Sequence, residues 1–425
     1  MSVAKMVKEN VVVSILIVEL LYNIVAGITN LSLPLIIVML GGNGVEVAVA
    51  SFTLNTMFMI FSIIFGRLSD LSGKRKIFIE LSMVFLISST LIFLLTLISK
   101  YVILIYLAST LLGLASASFS AIIILLAVET SRIKLSTASR IVNKISLFAG
   151  IGWSIGLIIA GITSIDSLGN AIIIAFIANV TSLFITIKFL PETPITIERQ
   201  QVIIPSPKPW IIDKARMIYS FIVQLPKLGD LYNLLRLLKM CFVRTIPLYL
   251  FAMLIAFTAI GLFFTQLPVF LKITIEMDDF MIFLAYALSS ITSTLTYLLT
   301  PKLIDSLSER KLLGLILCLR GLIFSIPIYL SIFNSLILAI ILFITIGASW
   351  APISVTMNSI MIKMAEPHRR AERVSQLNAM ISLGLMIGSG LSGLVVMLGF
   401  EAVFIISATM ILISGTIILL ALKID

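Results

Sequence analysis

Apolar runs of roughly 20 residues or more recur along the whole chain, the length a helix needs to cross about 30 Å of hydrocarbon. They fall at 11–40, 45–66, 77–98, 101–129, 140–163 and 169–190, and again at 245–271, 280–300, 312–333, 335–362, 373–398 and 400–422. The pattern predicts an all-α integral membrane protein of twelve transmembrane helices in two groups of six. The first run follows Lys5 and Lys8 and has no clear small-residue cleavage site, so it is expected to stay as a span.

The interval between the groups divides the chain into a bundle over 1–190, a connecting loop over 191–244 and a second bundle over 245–425. This interval is rich in proline, lysine and arginine. Within it, DKARMIYSFIVQL and GDLYNLLRLLKMCF mix apolar and basic residues near helical period. That predicts amphipathic helices lying on an anionic bilayer surface, with a soluble partner's binding site as the alternative.

Composition turns the pattern into a statement about solvent. With 60% hydrophobic and 12% charged residues, the chain is too apolar for a soluble core to hide, so lipid must be its main solvent. A net charge of +10 would point to nucleic acid in a soluble protein. Here, among the 30 Lys and Arg, only Lys100 and Lys272 fall on one side and Arg320 within a span, and all the others share the opposite side. Positive loops stay cytoplasmic, so both termini are expected in the cytoplasm of a multi-pass cell-membrane protein, with no nucleic acid partner. Cys241 and Cys318 support neither a disulfide framework nor a metal site, and His368, in EPHRRAER, reads as solvated. No metal or cofactor is expected.

The two groups of spans are related. GRLSDLSGKRK (66–76) aligns without gaps with PKLIDSLSERK (301–311), pairing Asp70 with Asp305 and Arg75 with Arg310 at an offset of 235. Gly152, Gly156 and Gly161 pair with Gly384, Gly388 and Gly393 at an offset of 232. Parallel six-helix halves around a midplane cavity are a known transporter architecture.

The first of these segments resembles the signature loop between helices 2 and 3 of the major facilitator superfamily. Gly66, Asp70, Gly73, Arg75 and Lys76 match it, while Leu71 stands where a basic residue is usual. Gly66 would permit close helix approach, Gly73 a sharp reversal, and Asp70 a place near the positive end of a facing helix. The resemblance implies the two-bundle major facilitator fold, and a loop that latches the cytoplasmic side of the outward-facing state through Asp70 and Arg75. Asp305 and Arg310 are the second copy's counterparts.

GIGWSIGLIIAG (150–161) resembles the glycine-rich helix 5 motif of the superfamily's antiporters, with Leu157 in place of a proline and Ala160 in place of a glycine. Small residues four apart equally serve ordinary helix packing. On these motifs the chain resembles the twelve-helix drug-exporter-like branch. The helix 4 arginine usual in proton-coupled exporters is absent, since Ser109 precedes Gly113.

Transport needs a solute site rather than bond-making groups, so polar residues inside spans are the candidates. Glu19 stands inside span one, with Asn23 a turn later, Asn30 further along and Tyr22 beside them. A carboxylate there is costly to bury charged, which makes Glu19 a candidate for proton binding or recognition of a cationic solute; the alternative is that it reaches water or a basic loop at the boundary. In the family, helices 1, 4, 7 and 10 line the cavity. That adds Ser109, Ser116 and Ser120 in span four, Thr258 and Gln266 in span seven, and Thr345, Ser349, Trp350 and Asn358 in span ten. Individually, such hydroxyls more often bond to their own helix. Arg320 is expected to snorkel toward the boundary near Arg310 and Lys311.

These readings predict a secondary active transporter of a small solute by alternating access, a monomer in the bilayer, with proton-linked export of drug-like or metabolite compounds. Uptake carriers or uniporters for a sugar, organic acid or peptide are the alternatives, and a transport-inactive membrane regulatory protein is the alternative of another class. An enzyme is not expected, because acids, bases and metal ligands are not clustered and no GxxxxGK[ST] phosphate loop is present.

Overall fold

The computed structural model describes residues 3–72, 74–131, 135–192, 245–333, 335–365 and 370–421. The first six helices are α1 (Val3–Met39), α2 (Gly44–Ser72), α3 (Lys76–Ser99), α4 (Ile103–Ser131), α5 (Leu135–Ser164) and α6 (Leu168–Phe189). The second six are α7 (Thr245–Ile273), α8 (Asp279–Ser306), α9 (Glu309–Phe324), α10 (Leu336–Met364), α11 (Arg370–Val395) and α12 (Phe400–Thr416). Among the described residues, eleven spans are long and apolar enough to cross a membrane, one of them α9 with its continuation, and the apolar part of α4, Ile103–Phe119, is shorter. Large apolar side chains such as Ile98, Phe184, Leu298, Ile337 and Leu394 point outward, where lipid rather than water is the fitting solvent.

A helix satisfies its own backbone in hydrocarbon, and hydroxyls inside it return to carbonyls of the preceding turn. Thr29 and Ser32 donate to the carbonyls of Val25 and Ile28 at 2.9 and 2.7 Å. Helix ends carry explicit chemistry. At the start of α2 the Val45 amide donates to Asn43 Oδ1 at 2.9 Å and the Asn43 amide to Glu46 Oε2 at 2.6 Å, a reciprocal cap. Pro327 has no amide to give the Ile323 carbonyl, and α9 breaks at Ser325 before resuming as Ile326–Phe333.

Each bundle repeats one packing scheme. In the first, α1 packs on α5 and α6, α4 on α2 and α3, and α3 on α6. The second substitutes α7 on α11 and α12, α10 on α8 and α9, and α9 on α12. Glycines make these contacts backbone to backbone. A methyl on Gly27 would lie 2.8 Å from the Trp153 carbonyl oxygen, and one on Gly261 2.8 Å from that of Leu385. A methyl on Gly156 would overlap the Ile24 carbonyl and one on Gly388 the Thr258 carbonyl, while Gly113 and Gly347 stand likewise against Leu54 and Ser289. Each glycine recurs in the second half 232 or 234 positions later, against a partner position displaced by 232 to 235.

The bundles meet through α2 with α11 and α5 with α8, at the end of the molecule remote from the termini. There Gly393 faces Ala48, Gly390 faces Phe52 and Gly161 faces Phe283. Toward the termini the same faces part. On α2 the stripe through Ala48, Phe52 and Asn55 continues to Gly66, where an added methyl would meet nothing within 4 Å. On α11 the stripe through Gly393 and Gly390 continues to Ala379 and Ser375, both exposed. Among the described residues the helix pairs thus bound a wedge-shaped space, closed at the far end and open at the terminal end.

Several spans read from hydropathy are too short at the terminal end. α2 continues from 66 to Ser72 and α8 from 300 to Ser306, and α5 begins at Leu135 rather than at 140. Hydropathy marks hydrocarbon thickness, whereas helical hydrogen bonding runs on into the interface. GRLSDLS is therefore the last two turns of α2, and α3 begins at Lys76. Gly66 makes no close approach in this conformation.

Candidate functional site

The first half-site is carried on α1. Asn23 Nδ2 donates to the Glu19 carbonyl at 2.8 Å and to Glu19 Oε1 at 3.0 Å, the i, i+4 geometry of one helical face. Glu19 is buried, at 6% exposure, so it does not reach water at the boundary. Its Oε2 has no hydrogen-bond partner, and no described cation lies within 4.0 Å. One turn on, Tyr22 stacks on Phe119 of α4 with ring centroids 3.7 Å apart and donates to Ser116 Oγ at 3.4 Å. Gly152 and Gly156 of α5 press against Leu20 and Ile24 and hold this part of α1 in place.

The second half-site joins α7, α9 and α10. Trp350 stands edge-on to Phe257 at 6.4 Å. Behind it Arg320 is 1% exposed, its Nη1 donating to Ser349 Oγ at 2.8 Å and, at the 3.5 Å limit, to the Ile346 carbonyl. This corrects the expectation that Arg320 snorkels. The aromatic rings of Phe264, Phe324 and Trp350 lie 5.4 to 5.7 Å from its guanidinium carbon and draw the side chain inward.

Gln266 closes the far end. Its Nε2 donates to the Gly44 carbonyl at 2.9 Å, across the bundles, and to Ser392 Oγ at 3.1 Å. Asn55 with Ser389 and Ser154 with Ser290 add inter-bundle hydrogen bonds at 3.3 and 2.8 Å. Gln266→Ala removes both amide bonds and is expected to loosen this seal. Labelling of a cysteine placed at Val45, beside that contact, by a membrane-impermeant maleimide should rise several-fold in the variant; equal labelling would show that the seal does not depend on Gln266.

The remaining candidates are satisfied within their own helices. Asn30, Ser109, Thr258, Thr345 and Asn358 each donate to the carbonyl four residues back, at 2.7 to 2.9 Å. Thr345 shares its side of α10 with the exposed Ile341 and Ile344 and faces away from the cavity. Among the paired glycines, Gly152, Gly156, Gly384 and Gly388 pack within bundles, while Gly161 and Gly393 pack between them.

At the terminal end, buried Arg75 donates from Nη1 to Ser69 Oγ at 2.8 Å. The backbone amides of Arg75 and Lys76 donate to Glu192 Oε1 at 2.7 and 3.2 Å, so a carboxylate stands on the N-terminus of α3. Lys76 Nζ reaches the Ile187 carbonyl at 2.7 Å, tying α3 to the end of α6. In the second copy Asp305 is exposed, and Glu309, next to Arg310, accepts from Ser359 and Lys363 of α10 at 2.8 and 2.6 Å. Gly73, the side chains of Asp70 and Ser120, Cys241, His368 and the interval 193–244 lie outside the described residues.

Gly27, Gly261 and Gly347 were not among the sequence candidates. Extending the repeat offset beyond the two motifs would have found Gly27 with Gly261, and Gly113 with Gly347.

A family model described as Major Facilitator Superfamily matches residues 15–374. No curated protein matches the sequence. Among solved structures, the nucleoside transporter NupG superposes with a TM-score of 0.71 at 14% identity, over 98% of this chain and 100% of that one. A POT family transporter in complex with 5-aminolevulinic acid gives 0.72 at 13% identity, over 96% and 95%. The peptide transporter POT in complex with sulfate gives 0.71 at 13% identity, over 96% and 93%. At these identities the likeness is one of fold.

Proposed function

The chain belongs to the major facilitator superfamily, and on that premise we propose that it is a secondary carrier that moves a small solute by alternating access, coupled to protons, in the direction of export. Residues 1–190 and 245–425 are the two rocking bundles, with 191–244 as the cytoplasmic connection. Basic loops mark the terminal end as cytoplasmic, which makes the present conformation inward-facing. The glycine-rich stretch of α5 favours the drug-exporter-like branch and hence drug-like or metabolite compounds.

The observation that carries this reading is Glu19. A carboxyl buried in a span, hydrogen-bonded by Asn23 and with no partner for its second oxygen among the described residues, has an atom at which a proton can enter and leave. It lies one turn from Tyr22, which touches α4, so the state of the carboxyl can be felt by helices of the cavity wall.

The test is purified protein in liposomes with an imposed pH gradient, with lumenal pH recorded as panels of lipophilic cations and small metabolites are added. A substrate-dependent proton flux is expected for at least one compound class. Solute flux indifferent to the gradient would leave a facilitator and end the proton-coupled reading; no flux across the panel would favour a transport-inactive regulatory protein.

A further inference from the structure

Arg320 lies eleven residues along the span that begins at Glu309, a rise of about 16 Å, which places it near the middle of a hydrocarbon layer about 30 Å thick. A guanidinium stays charged in a protein and is normally buried only beside an anion. Here no described carboxylate lies within 4.0 Å, and its contacts are a hydroxyl, a carbonyl and three rings. Both hydrogen bonds leave from Nη1, and Nε is buried with no partner. The edge formed by Nε and Nη2, the pair that grips a carboxylate bidentately, is unused.

The surrounding residues relate this free edge to the cavity. Phe264 and Trp350, which cover the guanidinium, are only half-buried, and Trp350 continues through Phe257 onto α7. A turn of the Trp350 side chain would open the cation to whatever occupies the space between the bundles. Ser349 holds the guanidinium in place by accepting from Nη1 while it donates to the Ile346 carbonyl.

We propose that Arg320 is the recognition group for a negatively charged solute, a carboxylate or phosphate monoester, and that Trp350 is the shutter over it. The inference rests on the carrier reading and adds to it the charge of the substrate. An organic anion would complete the unpaired cation, and the rings around it would receive an apolar body attached to the charge.

The experiment uses full-length protein in detergent with Trp153→Phe and Trp210→Phe, so that Trp350 is the sole tryptophan. Trp350 emission is titrated with benzoate, phenyl phosphate and benzamide, the last being the neutral counterpart of the first. One anion is expected to shift the emission saturably, at least about tenfold more tightly than benzamide, and the tighter anion identifies the class. Arg320→Lys keeps the cation but loses the fork and should weaken that anion about tenfold or more.

Benzamide binding as tightly as the anions, or no saturable response to either anion, overturns the proposal, as does an anion affinity unchanged in Arg320→Lys. Should that variant fail to give monodisperse protein, the comparison of benzoate with benzamide on the Arg320 protein still decides. Binding is read without flux. A protein that binds anions but transports nothing overturns the carrier reading alone, and transport without anion preference overturns this one alone.

Discussion

Gly156→Leu is expected to give little or no monodisperse protein, and Gly156→Ala to lower stability by about 1–3 kcal/mol. The smallest possible side chain, one methyl, already overlaps the Ile24 carbonyl, and a backbone atom cannot turn aside as the end of a side chain can. To admit it, α1 and α5 must separate along a contact that also includes Gly152 on Leu20 and Gly27 on Trp153. Separation forfeits dispersion contacts along the whole seam, which in a bilayer are the main force between helices. The repeat supplies an internal replicate: Gly388→Ala meets the Thr258 carbonyl in the same way and should cost a similar amount. Gly66→Ala, inside α2 and with nothing within 4 Å, should not lower the melting temperature. Thermal unfolding in detergent, followed by size exclusion, checks all three. Equal melting temperatures for Gly156→Ala and the parent would mean that the backbone contact is absent.

These contacts also mark how far the sequence was legible. Hydropathy gave the spans because lipid imposes a length on every crossing, and the motif repeat located both halves because the same backbone contacts recur. Helix ends were legible only where a cap or proline stood. Elsewhere the apolar run stopped at the membrane surface and the helix did not, so the end of α2 was read as loop. The direction of side chains was the harder part. From spacing alone Arg320 could leave for water or turn inward, and what decides between them is a set of aromatic rings from α7, α9 and α10 that no local window brings together. Gln266 read as a cavity residue because it is polar and mid-span, yet it bonds to Gly44 of the other bundle, a contact set by how the bundles lean. Glu19 was visible from its rarity in a span, and its depth and the lack of a cation beside it among the described residues were not.

Glu19→Gln is expected to abolish proton movement while leaving the fold and solute binding in place. The amide has the shape of the carboxyl, and its oxygen can still accept from Asn23 Nδ2, which now holds Glu19 Oε1 at 3.0 Å. The packing of Gly152 and Gly156 against the neighbouring carbonyls is untouched. What changes is the position of Oε2, where a group that could take up and release a proton becomes an amide nitrogen that holds its hydrogens permanently. Two donors there find no acceptor, a loss of about 1–3 kcal/mol, set against the removal of an unpaired buried carboxyl. The variant should therefore remain folded and catalyse exchange of labelled solute for unlabelled solute at a comparable rate. Lumenal pH should no longer respond to solute beyond the leak of protein-free liposomes, and an imposed pH gradient should no longer drive accumulation. Glu19→Asp keeps a titratable carboxyl but draws it a methylene away from Asn23, so coupling should survive in weakened form. Gradient-driven accumulation that persists in Glu19→Gln would place the coupling proton on another group and remove Glu19 from the mechanism, whereas loss of exchange together with coupling would make it a solute ligand.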